Sequence, residues 1–302
     1  MSERQPAFVL HAYDWSESSL ILDLLTRDEG RQVAVAKGAK RPYSQLRSVL
    51  LPFQGVRVQL SRSKPDAGED EVRTLRSAEW APGTPVLAGE HLMSAYYLNE
   101  LLMKFLPRGD AHPALFDGYA QTLAVMAMGS DRATCDVDAD SEQRTEMSVG
   151  AEGLVAAAFR AFELLLLHEV GLLPDLAQET LTGRALDASK SYALRPEVGL
   201  VPVHEGESAL TGQQWTALQA ALLSGHLKAL QAACEAATWE SSASSTGRDA
   251  LRLLLRSLLA YHLDGAPLRT REMMRGLRRL GTARPPAPAT EGMTRDTTGN
   301  TT

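Results

Sequence analysis

Residues Thr26–Lys64 read TRDEGRQVAVAKGAKRPYSQLRSVLLPFQGVRVQLSRSK, and their pattern decides the fold of the N-terminal part of the chain. Apolar and polar positions alternate through RQVAVAKG and again through GVRVQL, which is the period of a strand with one buried face. The same stretch holds nine Lys or Arg (Arg27, Arg31, Lys37, Lys40, Arg41, Arg47, Arg57, Arg62 and Lys64) against only Asp28 and Glu29. A small β unit with cations on its open face and loops suits a polyanion, nucleic acid above all. An ordinary solvated sheet face would carry the same composition, so charge alone does not separate the two.

Outward from this stretch the strand pattern continues in both directions. AFVLHAY and SSLILDLLT precede it, and EVRTLRSAEW follows the hairpin-like KPDAGED. Five short strands in about 75 residues, with a turn or short helix near Ser44–Val49, match a small closed barrel such as an OB-fold. APGTP at Ala81–Pro85 continues neither strand nor helix and ends the unit. The period then becomes helical. HLMSAYYLNELLMKFLP, PALFDGYAQTLAVMAMG, GLVAAAFRAFELLLLHEVGLLPDL, QWTALQAALL, HLKALQAACEAA and DALRLLLRSLLAYHL each place apolar residues at helical spacing. The expected class is α+β: an OB-fold β-barrel over residues 1–80, then an α-helical domain over 81–280. SSASSTG at Ser241–Gly247 reads as a flexible link, and 281–302, without apolar periodicity, as a disordered tail.

The formal charge of −6 is unevenly spread. Between Asp131 and Glu152 lie seven carboxylates and only two bases, Arg132 and Arg144, so the segment 129–153 reads as an acidic loop inserted between helices. Two cysteines, Cys135 and Cys234, cannot form a disulfide framework, which points to a reducing cytoplasm. The N-terminus lacks a signal-peptide pattern, and no apolar run is long enough to span a bilayer. No membrane partner is expected.

Signatures of catalysis are missing: no GxxxxGK[ST] loop, GxSxG elbow or HExxH occurs. Neither a catalytic residue nor a cofactor is expected. Segment 178–205 has the layout of a zinc ribbon inserted in the helical domain, with ligand positions at Glu179, Thr182, Pro202 and Glu205. None is a cysteine, and a ribbon needs soft or imidazole ligands, so the expected metal ligands are none. A second basic feature lies near the C-terminus. Arg248, Arg252 and Arg256 recur every four residues opposite a leucine face, and PLRTREMMRGLRRL follows with five more arginines. That edge is either a solvated helix face or a platform for phosphates or an acidic tail.

Several long segments carry a family resemblance. AFVLHAYDWSESSLILDLLTRDEGRQVAVAKGAKRPYSQLRSVLLPFQ resembles the N-terminal domain of the bacterial recombination mediators of the RecO family. YYLNELLMKFLPRGDAHPALFDGY, FRAFELLLLHEVGLLPDL and GAPLRTREMMRGL resemble its helical domain, in the same order. The resemblance spans about Ala7–Leu280 and implies an OB-fold followed by helices with a small zinc-ribbon-like insertion, here without the cysteines some members keep. It further implies recombinational repair: binding of single- and double-stranded DNA, annealing of complementary strands, and engagement of the acidic C-terminal tail of single-strand-binding protein. With RecR, and often RecF, such proteins help load RecA onto coated strands, without ATP hydrolysis.

On this reading Arg31, Lys37, Lys40, Arg41 and Arg47 are the expected DNA contacts. Tyr43, in a loop, is the candidate for stacking on a base, whereas Phe53, inside a strand pattern, is expected in the core. Four to six phosphate contacts would give a log–log salt slope of roughly −3 to −4 on single strands. For the acidic tail two candidates compete: Lys104 and Arg108 beside Phe105 and Leu106, or the stripe Arg248, Arg252 and Arg256. An OB-fold RNA-binding protein of RNA metabolism is the alternative function, because the same barrel chemistry serves RNA.

Overall fold

The computed structural model describes residues 4–62, 71–83, 87, 90–135, 141–203, 207–242 and 250–282, of which 90, 129–135, 141–151, 239–242 and 277–282 are described by backbone alone. Five strands, β1 (Gln5–Asp14), β2 (Leu20–Thr26), β3 (Gly30–Ala36), β4 (Gly55–Leu60) and β5 (Val72–Trp80), close into a barrel in the order β1-β2-β3-β5-β4. A single helical turn, α1 (Leu46–Val49), sits between β3 and β4. Neighbouring strands pair antiparallel except β3 and β5, which run parallel. This is the expected α+β class with a closed five-stranded barrel at the N-terminus.

The alternation read from sequence is the alternation of the barrel wall. Ala7, Val9, Leu22, Leu24, Ala34, Ala36, Val56, Val58 and Leu60 point inward and form one core. Phe8, Leu10, Leu25 and Phe53 instead belong to the core of the helical domain, so the outer face of β1 and β2 is buried as well. Phe8 lies 5.1 Å from Phe116 and 5.0 Å from Tyr119, ring centroid to centroid. Phe53 meets Tyr96 edge-on at 4.8 Å, in line with its expected place in the core. Between Val9 and His11 the ladder with β2 skips Leu10, and the Leu10 carbonyl accepts a bond from Asn99 Nδ2 at 2.8 Å. The buried Tyr119 hydroxyl donates to Asn99 Oδ1 at 2.5 Å, completing that amide's partners.

Helices α2 (Glu90–Phe105), α3 (Pro113–Cys135), α4 (Ser141–Glu169), α5 (Gly212–Leu223), α6 (Leu227–Ser242), α7 (Ala250–His262) and α8 (Arg269–Thr282) follow. Two of them depart from the sequence expectation. The acidic segment 129–153 was expected as a loop, but α3 runs through Cys135 and α4 starts at Ser141. Its Glu, Gln, Arg, Ala and Met content favours helix strongly enough to extend both neighbours. PLRTREMMRGLRRL, read as a basic edge of the helical domain, forms α8 as a helix, and its first amides are capped from another helix. Glu100 accepts from Arg269 N at 2.8 Å, Thr270 N at 3.0 Å and Thr270 Oγ1 at 2.6 Å. The expected link at 241–247 and tail at 281–302 lie outside the described residues, apart from the helix ends Ser241–Ser242 and Gly281–Thr282.

The insertion folds as a three-stranded sheet of β6 (Ser191–Arg195), β7 (Gly199–Pro202) and β8 (Leu210–Thr211), in the order β7-β6-β8. Described residues at and beside the expected ligand positions bond to one another. Thr180 N donates to Leu200 O at 3.0 Å and Thr180 Oγ1 accepts from Leu200 N at 2.8 Å. Thr182 Oγ1 donates to Glu179 Oε2 at 3.0 Å. Glu205 lies outside the described residues, and among those described no group of three His, Cys, Asp or Glu is placed to hold a metal ion.

Candidate nucleic-acid interface

β3 ends at Ala36, and Gly38 turns the chain with φ of 72°, a conformation glycine adopts without strain. Short-range bonds from Arg41 N to Gly38 O and from Ser44 N to Arg41 O then shape the loop, and buried Ala39 anchors it to the barrel core. Lys37, Arg41, Tyr43 and Arg47 all stand exposed, and the Tyr43 ring is 99% exposed. Lys37, Arg41 and Arg47 have no ion-pair partner among the described residues. Their charge is therefore available to an anion from outside.

Lys40 is used differently. Its Nζ lies 3.0 Å from Asp14 Oδ1 and 3.2 Å from Ser16 O, and its backbone N donates to Ser18 O at 3.0 Å. These bonds fasten the loop to the β1–β2 turn. That turn carries Trp15, 66% exposed, and Tyr13, 48% exposed, stands just before it near the end of β1; the sequence reading singles out neither. His11 lies against Tyr13 at 4.3 Å. YDWSES between two strand patterns is the sequence signal for this exposed turn, and it lies outside the basic stretch.

Arg31 does not belong to this surface. Its Nε and NH2 grip Asp23 at 2.8 and 2.7 Å, and its NH1 donates to Met103 O at 2.6 Å and Leu106 O at 3.0 Å. Met103 O belongs to the last turn of α2 and Leu106 O lies just past its end, where a cation is favourable. Asp23 is buried and Arg31 partly so, with side-chain exposures of 5% and 14%. The bond to Asp23 holds the Arg31 guanidinium above its ordinary pKa against the opposing effect of burial. Next to it Gly30 has φ of 67° and passes so near Asp110 O that a Cβ would lie 1.8 Å away. Arg27 reaches Asp117 of α3 with two bonds, at 3.0 and 2.9 Å. Two of the nine cations thus join barrel to helices.

The helical domain offers a second cationic feature, a cleft of about 260 Å³. Arg160, Arg252, Arg256, Arg271 and Arg275 line it together with Tyr97, Phe159, Leu253 and Met274. At its base Glu163 is fully buried, accepting from the Tyr97 hydroxyl at 2.5 Å and paired with Arg160 at 2.5 Å. Arg271 donates to the same hydroxyl at 2.8 Å and lies over the Tyr97 ring. Burial first, and the Glu163 charge second, push the Tyr97 hydroxyl well above its ordinary pKa, so it stays a donor. One carboxylate among five guanidinium groups leaves the cleft strongly electropositive.

The two tail-binding candidates fare differently. Arg252 and Arg256 sit on the cleft wall, while Arg248 lies outside the described residues. Lys104 Nζ is engaged by Glu100 at 3.9 Å and by Pro267 O at 3.4 Å. Arg108 runs beside Arg31 in a strand-like bridge. The sequence reading brought Arg252 and Arg256 together with Arg271 and Arg275 as one basic edge. It missed Tyr97, which reaches the cleft from α2, and Phe159 and Arg160, which reach it from α4.

Comparison with known proteins covers both parts of the chain. The family model for the recombination protein O N terminal matches residues 1–82, and that for the recombination protein O C terminal matches 87–136 and 150–272. A protein of Variovorax paradoxus named DNA repair protein RecO is 47% identical over 277 residues, covering 91% of this chain and 96% of the relative. Proteins of the same name from Acidovorax ebreus and a Polaromonas species are 43% and 42% identical, each over 91% of this chain and 97% of the relative. Among the described residues no helix is long and apolar enough to cross a membrane.

Proposed function

The chain belongs to the RecO family of DNA repair proteins, and from that premise we propose that it is a non-enzymatic recombination mediator of the bacterial cytoplasm. It binds single- and double-stranded DNA through the barrel loop and anneals complementary strands. Together with RecR, and with RecF where present, it helps RecA onto strands coated by single-strand-binding protein. The observation that carries this reading is the exposed set Lys37, Arg41 and Arg47 around a solvent-facing Tyr43. Such a surface grips phosphates from outside and leaves base edges uncovered, which annealing of two strands requires.

Recruitment to coated strands falls to the cleft. An acidic peptide ending in apolar residues needs cations beside an apolar floor, and Arg252, Arg256 and Arg275 next to Phe159, Leu253 and Met274 supply both. Lys104 and Arg108, engaged as described, are the weaker pair. Neither surface needs a cofactor, and no step of binding or annealing makes or breaks a covalent bond.

The reading is tested by annealing complementary oligonucleotides across a salt series without nucleotide. Acceleration that weakens with salt is expected, because each phosphate contact releases counterions. Equal binding to RNA of matched sequence, with no acceleration of DNA annealing, would favour the RNA-binding alternative instead.

A further inference from the structure

We propose that Trp15 is a base-stacking residue which, with Tyr43, makes the barrel loop prefer unpaired strands, and that Lys40 is a positioning residue for the pair. The inference rests on the nucleic-acid reading above and adds the source of strand selectivity. Its starting observation is that three large aromatics, Tyr13 near the end of β1, Trp15 on the turn after it and Tyr43 on the barrel loop, are all exposed by nearly half or more, and that Lys40 binds the turn to the loop. Single exposed aromatics are commonplace, but a group beside cations without ion-pair partners is what a nucleic-acid platform consists of.

The physics of selectivity follows from which faces of the ligand are open. Lys37, Arg41 and Arg47 see phosphate, which single and double strands both present. An indole or phenol ring needs the face of a base, and in a duplex those faces are covered by neighbouring base pairs. Stacking therefore contributes on unpaired strands only. Lys40 enters because its bonds to Asp14, Ser16 and Ser18 hold the turn bearing Trp15 next to the loop bearing Tyr43. With its ammonium turned to Asp14, it sets the spacing of the rings and adds little charge to the surface.

The experiment uses the full chain, a single-stranded oligonucleotide and a blunt duplex of the same sequence, with affinities measured by fluorescence anisotropy across a salt series. Trp15→Ala is expected to weaken single-strand binding about tenfold. Duplex binding should change by less than about twofold, and the salt slope should not change, because no charge is removed. Trp15→Phe should restore most of the loss, which excludes misfolding as its cause. In a background with Trp80→Phe and Trp239→Phe, which leaves Trp15 and the buried Trp215, quenching of the remaining fluorescence by single strands should fall with Lys40→Met and return with Lys40→Arg. Equal losses on both ligands, or no loss on single strands, would overturn the inference while the DNA reading stands. If the unaltered chain bound neither ligand, both would fall.

Discussion

The barrel loop and the arginine cleft are both cationic, yet they are built on opposite plans. On the loop the charges stand apart on a projecting turn, and the aromatic beside them, Tyr43, faces solvent. In the cleft the arginines line one concave site, Arg160 pairs with the buried carboxylate of Glu163, and the aromatic beside them, Tyr97, is buried with its ring face taken by Arg271. The count of positive charges therefore does not say what a surface binds. An open cationic turn with a free ring suits a polymer that runs past it, whereas a concave site with an apolar floor suits the end of a peptide.

The largest expected effect concerns a residue that belongs to neither surface. Arg31→Ala should destabilise the protein by about 3–5 kcal/mol in chemical denaturation, because it leaves Asp23 buried without its partner. The DNA affinity of the folded fraction should be unaffected. If affinity fell and stability did not, Arg31 would have to be returned to the DNA surface. Next in size, replacing Arg252 and Arg256 together by Glu should weaken binding of an acidic, apolar-ended peptide by tenfold or more, since each charge-assisted bond contributes about 1.5–3 kcal/mol. Lys104→Glu should leave peptide binding near its original value, and isothermal calorimetry reads both.

A smaller change is expected for the loop. Lys37→Glu with Arg41→Glu should reduce single-strand affinity roughly tenfold at low salt and make the salt slope shallower by about 1–2. Peptide binding in the cleft should not respond. The smallest effect concerns α8, a wall of the cleft. Burial raises the Glu100 carboxyl, but bonds from Thr270 and Arg269 and the charge of Lys104 outweigh it and hold the group below its ordinary value. Such a lowered native value gives stability that is complete above the unfolded value of about 4.3 and is lost as pH falls through the native one. Glu100→Gln should thus cost about 1 kcal/mol at pH 7, the scale of a lost helix cap, and the gap from the unaltered protein should close in acid. A gap that persisted at the lowest pH would mean that the carboxylate charge is not what holds α8.

Much of the barrel was legible because its signal is local. Alternation in RQVAVAKG and GVRVQL sorts inward from outward residues without knowledge of the rest of the fold. The sequence could not show that the outward face of β1 and β2 is itself buried, since Phe8 and Leu25 find Phe116, Tyr119 and the helical core only in three dimensions. Arg31 was misplaced for the same reason. Its partner Asp23 is eight positions upstream, and the α2 carbonyls it caps are more than seventy positions downstream. The loop Lys37–Arg47 was readable because glycine, proline and charge define a turn by themselves. The cleft was half readable: α7 and α8 announce their arginines in sequence, but Tyr97, Phe159 and Arg160 arrive from α2 and α4. Helix propensity in the acidic segment was outweighed in the reading by its charge, whereas in the fold it was not.

If the proposed function is right, the two cationic surfaces act on different ligands. The most direct test is strand annealing with two variants, the loop pair Lys37→Glu and Arg41→Glu and the cleft pair Arg252→Glu and Arg256→Glu. Each is measured on bare strands and on strands coated with single-strand-binding protein. The loop variant should fail on both substrates, while the cleft variant should anneal bare strands normally and fail only on coated ones. Parallel losses by both variants on both substrates would contradict that separation, and would mean that the loop and the cleft form one continuous nucleic-acid surface.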